Sequence, residues 1–356
     1  MDKQNGTSAI PVDLIRVVAI SAVLLLHAIS NLATQPIINM GMLHWWVVVD
    51  IYQSFGRMGV PLFLMLSGAL LLAPSKKDEQ IDYFFKKRFS RIGLPFLFWS
   101  IIYFIWAFYI TNTPFTQDFI INGILKGPYV TFWYIYMLIG LYLLTPLLRV
   151  MVANFTAKHF KYFIILWIIG AALIPMAEFI SGWQTYLNGI VLLIPLCVGY
   201  FIAGAYLIKI RIKRWILTAS TVLGFTLTII ITYFTAGNGG DTAFFFQGNN
   251  SPTMILTTVS LFLLLNSYTK PQNVSQPEIF SWKQRIMHVI SKNSLAIYLC
   301  HMIAFYILKT VFVFVLNGYI IDAIIDVPLT AILTLLLSLF IIIPLKKIPG
   351  LKHFIG

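Results

Sequence analysis

Long apolar runs follow one another along this sequence, near residues 11–31, 45–73, 92–111, 131–150, 160–180, 187–208, 214–235, 252–269, 290–314 and 324–345. Each is long enough to cross the hydrocarbon core of a bilayer as a helix. In lipid every backbone polar group must be bonded internally, so uninterrupted apolar runs of this length resolve into helices. Only 10% of the 356 residues are charged and 59% are hydrophobic, against about 25% charged in a soluble domain. The expected fold is all-α: a polytopic membrane protein of about ten transmembrane helices. It forms a single integral-membrane domain over residues 1–356, without an appended extracytoplasmic domain.

The basic residues test this division. The loops after the second, fourth, sixth and eighth runs, together with the C-terminal tail, hold 20 of the 25 Lys and Arg. The alternate loops hold only Lys126 and Lys309. By the positive-inside rule both termini are cytoplasmic. The formal net charge of +13 then reports topology and attraction to anionic lipid headgroups, and no nucleic-acid partner is expected. Trp45, Trp46, Trp133 and Trp183 fall near outer boundaries, as an aromatic belt does. Cys197 and Cys300 both lie in apolar runs, which implies neither a disulfide framework nor a thiol metal site. No cleavable signal peptide is evident.

The first run, PVDLIRVVAISAVLLLHAISN, carries Asp13, Arg16 and His27. Ionisable groups inside a span are costly and face a bundle interior or a wet cavity. Arg16 and His27 are eleven residues apart, about 1100° of helical rotation, within roughly 20° of three full turns. They share a face, separated by about 16 Å along the axis. Asp13 stands at i,i+3 to Arg16, within reach of an ion pair. The bland alternative is that Asp13 and Arg16 mark the interface and His27 is a packed hydrogen-bonding group. Topology places Arg16 near the cytoplasmic face and His27 in the outer half.

Further polar residues punctuate the other runs. The second run is overlong and interrupted by Gly56, Arg57, Gly59 and Pro61. Broken helices at membrane depth are buried or line a cavity, and Asp50 is a candidate partner for Arg57. Ser67 and Gly68 suit close helix packing, the favoured reading for Ser67. The tetrapeptide RFSR sets Arg88 and Arg91 on one face of a helix that starts early, with Lys86 and Lys87 beside them. Ordinary anchoring explains that patch from charge alone. A phosphate clamp is the functional alternative, since paired guanidinium forks bind phosphate in a geometry lysine cannot copy. Trp133 and its aromatic neighbours read first as interface anchors. Glu178 is a solvated helix end or a group that orients a sugar hydroxyl. The segment AGNGGDTAFFFQGNN, residues 236–250, is a mobile lid or a plain connection. In SLAIYLCH, Ser294, Tyr298 and His301 form one polar stripe, and His301 is a second intramembrane imidazole. Taken alone it reads as structural. Walker A, HExxH, GxSxG and CxxC motifs are all absent, so ATP-driven transport and zinc-protease chemistry lose support.

With these residues in hand, the chain resembles the acyltransferase-3 family, the integral-membrane O-acyltransferases of bacterial surface glycans. The likeness spans nearly the whole chain. It rests on VDLIRVVAISAVLLLHA, GVPLFLMLSG, RFSRIGLPFLFW, FWYIYMLIGLYLLTPLLR and SLAIYLCH in that order. The resemblance implies a ten-helix fold in a bacterial cell membrane and cytoplasmic acyl-CoA as co-substrate, acetyl-CoA foremost. It implies an essential His27, a basic partner at Arg16, and Arg88 and Arg91 at the donor's phosphates. Many members carry a His two residues before the Trp of the fourth-run motif, where this chain has Thr131. Acceptor identity therefore does not carry over.

The reading that follows is transfer of an acyl group from cytoplasmic acyl-CoA to a hydroxyl of a surface or lipid-linked glycan. His27, Arg16 and Asp13 stand at the chemistry. Arg88, Arg91 and Lys87 hold the donor. Arg57, Ser67, Trp133, Glu178, Tyr298 and His301 are candidates to line the acceptor path. No metal is expected. Expected partners are the glycan acceptor, membrane lipids and the machinery of polysaccharide synthesis or export. The rival reading is an exporter or flippase of polysaccharide or lipid-linked oligosaccharide, which broken helices and midplane charges also suit. Donor dependence separates the two.

Overall fold

The computed structural model describes residues 11–32, 45–110, 112–183, 195–236, 241–268, 281–316 and 322–356. Among them every regular element is helical. In chain order these are α1 (Val12–Leu32), α2 in three pieces (Trp45–Tyr52, Gln53–Arg57 and Gly59–Leu71), α3 (Ile81–Tyr109) and α4 (Gln117–Lys126). There follow α5 (Trp133–Ala153), α6 (Ala157–Ser181), α7 (Leu196–Leu207), α8 (Arg214–Ala236) and α9 (Pro252–Asn266). The chain closes with α10 (Trp282–Lys292), α11 (Ser294–Leu316), α12 (Ala323–Leu345) and a last turn, α13 (Lys352–Ile355).

Among the described residues each apolar run contains a helix. Eight segments among the described residues are long and apolar enough to cross a membrane. The sixth and eighth runs contribute shorter helices, the 12-residue α7 and the 15-residue α9. Three short amphipathic or terminal helices, α4, α10 and α13, supplement the spans.

The first helix is the axis of the bundle. It packs against α2, α9, α10, α11 and α12, with Ile15, Ala19, Ile20 and Ala22 fully buried. Glycine brings the broken α2 onto it. A Cβ at Gly56 would stand 2.7 Å from Cβ of Leu26, and one at Gly59 would stand 2.7 Å from the Ala19 carbonyl oxygen. The helix re-forms after Met58, and Pro61 lies in the first turn of the new piece, where an amide N–H has no intrahelical partner to lose. On its other side α2 crosses α7 through a second glycine contact: Cβ atoms at Gly68 and Gly204 would meet the carbonyls of Phe201 and Met65 at 1.7 and 1.9 Å. Close packing thus belongs to Gly68, and Ser67 faces elsewhere.

One polar contact differs from the sequence expectation. Asp50 is not the partner of Arg57. Its carboxylate accepts from Gln247 Nε2 at 3.1 Å and from Ser54 Oγ at 3.5 Å, and Gln247 also donates to the Val49 carbonyl. This pins residues 241–250 of the 236–250 segment against the start of α2. Residues 237–240 lie outside the described residues. Arg149 forms a buried clamp. It donates to Glu79 at 2.7 Å and to the Leu71 carbonyl at 2.8 Å, and stacks over Phe84 at 4.5 Å. Burial alone would raise the pKa of Glu79, but the bond and charge of Arg149 outweigh it and hold Glu79 below its ordinary value.

Candidate active site

The geometry of α1 brings Arg16 and His27 to two different places on one face. At the basic end, Arg16 lines a cavity of about 380 Å³ together with Ser67, Arg88, Arg91, Tyr134, Tyr142, Ser291, Lys292, Ser294 and Tyr298. Helices α1, α2, α3, α5, α10 and α11 all contribute. Arg88 and Arg91 reach it because α3 begins at Ile81, well before its apolar run, and passes through a π-helical turn at Phe89–Gly93. Such wide turns reorient side chains within a helix and recur at functional sites. Arg88 is held over the rings of Phe84 and Tyr142, and its Nε is buried with no hydrogen-bond partner. A buried guanidinium N–H without a partner is a costly arrangement and fits an anion arriving from the cavity. No Asp or Glu lines this cavity among the described residues.

About three turns further along α1, His27 meets His301 of α11, with ring centroids 5.1 Å apart. His301 is fully buried. Its Nδ1 is hydrogen-bonded to the Tyr298 carbonyl, and its Nε2 has no hydrogen-bond partner. A ring nitrogen facing a carbonyl must carry the proton, which leaves the lone pair of a neutral imidazole on Nε2. His27 is half-buried. Tyr298 joins the two regions. It lines the cavity, packs its ring against Tyr134 at 5.0 Å and His301 at 5.4 Å, and donates its hydroxyl to the Thr131 carbonyl at 2.6 Å. Thr131, the position where this chain departs from the family pattern, is therefore one hydrogen bond from the polar stripe of α11.

The remaining expected residues distribute as follows. Asp13 does not pair with Arg16: its carboxylate bonds His288 of α10 at 2.9 Å, tying the basic end of α1 to α10. It stands about 21 Å of helix rise from His27. Arg16 itself joins the arginines of α3 and not the imidazoles. Lys87 lies over Tyr83 at 5.5 Å, outside the cavity lining. Ser67 lines the cavity beside Arg16. Arg57 lies near the level of Leu26 and His27, next to the Gly56 contact, with its Nε buried and without a hydrogen-bond partner. Trp133 is exposed. Glu178 is half-buried on α6, beside Phe179, which stacks on Phe245 of the 241–250 segment. Tyr134 and Tyr142 were hidden among the aromatics of the fourth run. Their i,i+8 spacing with Leu138 between, one face of a helix, is the signal that separates them from interface anchors such as Trp133. Among the described residues no group of three or more His, Cys, Asp or Glu is placed to hold a metal ion.

A bundle of apolar helices around an arginine-lined cavity and a facing pair of imidazoles defines a polytopic membrane protein with an internal polar site. The chain belongs to the acyltransferase-3 family: the family's acyltransferase-domain model matches residues 11–345. Among curated proteins it is similar to the succinoglycan biosynthesis protein ExoH of Rhizobium meliloti (strain 1021), 33% identical over 95 residues. That match covers 26% of this chain and about a quarter, 25%, of ExoH. No solved structure matches.

Proposed function

We propose that the protein is a membrane O-acyltransferase that moves an acyl group, acetyl foremost, from cytoplasmic acyl-CoA to a hydroxyl of a cell-surface or lipid-linked glycan. The observation that carries this reading is the alignment of an arginine-lined cavity with the His27–His301 pair along one face of α1. The name of ExoH, a succinoglycan biosynthesis protein, supports a glycan acceptor. Arg88 and Arg91 supply guanidinium forks for the donor's diphosphate, and Arg16 adds a third cation facing the same space. The acyl-pantetheine arm runs from there past Tyr134 and Tyr298 towards the imidazoles.

His27 acts as general base. It withdraws the proton of the acceptor hydroxyl as that oxygen attacks the thioester carbonyl. The carbon–sulfur bond breaks, and the proton passes from His27 to the departing thiolate, giving the ester and free CoA. His301, fixed by its bond to the Tyr298 carbonyl, orients His27 through ring contact. General-base assistance of this kind is worth about 10²–10⁴-fold in rate.

The test is release or transfer of label from radiolabelled acetyl-CoA by the purified chain in liposomes, wild type beside His27→Ala. Label leaving CoA in the wild type and not in the variant is the expected result. Unchanged label with no detectable acetyl-CoA binding would overturn the reading for acetyl-CoA, and the same outcome with longer acyl donors would favour an exporter.

A further inference from the structure

A second cavity, about 680 Å³, opens beside the first and shares Arg91, Lys292 and Gly356 with it. Its remaining lining includes Ser90, His288, Asn293, Lys346, Lys352 and His353. Four Lys or Arg and two His thus face one space, and no Asp or Glu lines it among the described residues. One lining residue, His288, is bonded to a carboxylate, that of Asp13, at 2.9 Å.

Anchoring lysines at a membrane surface normally spread into solvent. These are instead held together by the fold. The Lys346 ammonium donates to Asn293 Oδ1 at 2.7 Å, leaving further N–H donors for another acceptor. Lys352 and His353 are carried on α13, which is docked on α3. Trp99 Nε1 donates to the Ile355 carbonyl at 3.2 Å, and the Ile355 side chain is fully buried. Burial, with the like charges of Lys292 and Lys352, pushes the Lys346 pKa down to about 8. Cations assembled against their mutual repulsion are relieved by an anion bound among them.

We propose that this second cavity seats a phosphomonoester, the phosphate on the nucleotide ribose of the acyl-CoA donor, and that Lys346 and Lys352 thereby select CoA thioesters over thioesters of bare phosphopantetheine. This rests on the acyl-CoA reading above. The shared wall places the phosphomonoester beside the diphosphate held by Arg88 and Arg91, so one ligand spans both cavities. The same phosphate chemistry is offered by an anionic lipid headgroup at this surface, and the test separates the two sources.

The full chain is reconstituted in phosphatidylcholine vesicles, with and without phosphatidylglycerol. Label release from acetyl-CoA is compared with that from 3′-dephospho-acetyl-CoA. The wild type is expected to favour acetyl-CoA roughly tenfold or more in kcat/KM, the scale of one good charge-assisted contact. Lys352→Gln and Lys346→Gln, made separately, each bring that ratio down to about threefold or less. Lys347→Gln, exposed and outside both linings, keeps the wild-type ratio. Equal use of both donors by the wild type would overturn the second site and leave the acyl-CoA reading standing. Use of neither would overturn both. A lysine effect that appears only with phosphatidylglycerol, and equally for both donors, would assign the cluster to lipid and overturn the proposal.

Discussion

His27 and Arg16 show how far a single helix can be read. Their eleven-residue spacing puts them on one face, and that face is where the polar interior lies. The consequences of losing each differ. His27→Ala is expected to lower turnover by at least about 10²-fold while acetyl-CoA binding stays near wild type, measured by label release and by equilibrium binding to the reconstituted protein. Arg88→Lys or Arg91→Lys is expected to raise KM for the donor, because an ammonium keeps the charge but loses the two-pronged geometry. A KM equal to wild type in both lysine variants would remove the phosphate role from α3. Lys346 gives a pH signature. As pH rises through about 8 it loses its charge, so donor affinity is expected to fall above that pH. The groups facing it are Arg91, Lys292, Lys352, His288 and His353. Lys346→Arg, charged throughout, isolates its share and is expected to flatten the rise in KM between pH 7.5 and about 9. What the sequence left open at this scale was partnership. Nothing in SLAIYLCH shows that His301 faces His27, and Asp13 reaches a histidine 275 positions away. Contacts between distant segments depend on how the helices rotate against one another, and local spacing carries no record of that.

At the scale of elements, the apolar runs and their breaks were legible because each has a local physical cause. The interruption in α2 is written in its glycines, which let it approach α1 at Leu26 and Ala19. The early start of α3, which the charged tetrapeptide foreshadowed, carries both arginines into the cavity through a π-helical turn. Less legible was which small residue packs and which lines the site, since Ser67 and Gly68 look alike in sequence but meet different neighbours. Gly68→Leu is therefore expected to destabilise the α2–α7 crossing by at least about 1–3 kcal/mol, seen as a lower melting temperature in detergent. Ser67→Ala is expected to leave that temperature near wild type. The Glu79–Arg149 clamp is a second element-level joint, fastening the loop before α3 to α5. Glu79 lies below its ordinary pKa, so its contribution is complete above the unfolded value of about 4.3 and is lost as pH falls through the lower folded one. Glu79→Gln is expected to cost about 1.5–3 kcal/mol at pH 7 and to abolish that part of the acid sensitivity.

For the whole molecule, the distribution of charge implies a direction. The cavity of Arg16, Arg88 and Arg91 and the lysine cluster of α10, α12 and α13 gather at one end, where α1 and α3 begin and α12 finishes. The imidazole pair lies about 16 Å deeper along α1. If the basic end is cytoplasmic, donor and acceptor approach from opposite sides and meet at His27. Two measurements on one preparation test this. Cysteines are introduced at Asp78, exposed before α3, and at Gln117, exposed beyond its far end, with Cys197 replaced by serine. An impermeant maleimide added to intact cells is expected to label the cysteine at 117 and to reach the one at 78 only after permeabilisation. Acetyl-CoA added outside sealed inverted vesicles is expected to be consumed, and outside right-side-out vesicles to be spared. Labelling of 78 in intact cells would reverse the topology. The expected labelling with donor consumed equally in both vesicle types would keep the topology but deny that acyl-CoA must enter through the arginine-lined cavity, because only that entrance makes consumption one-sided.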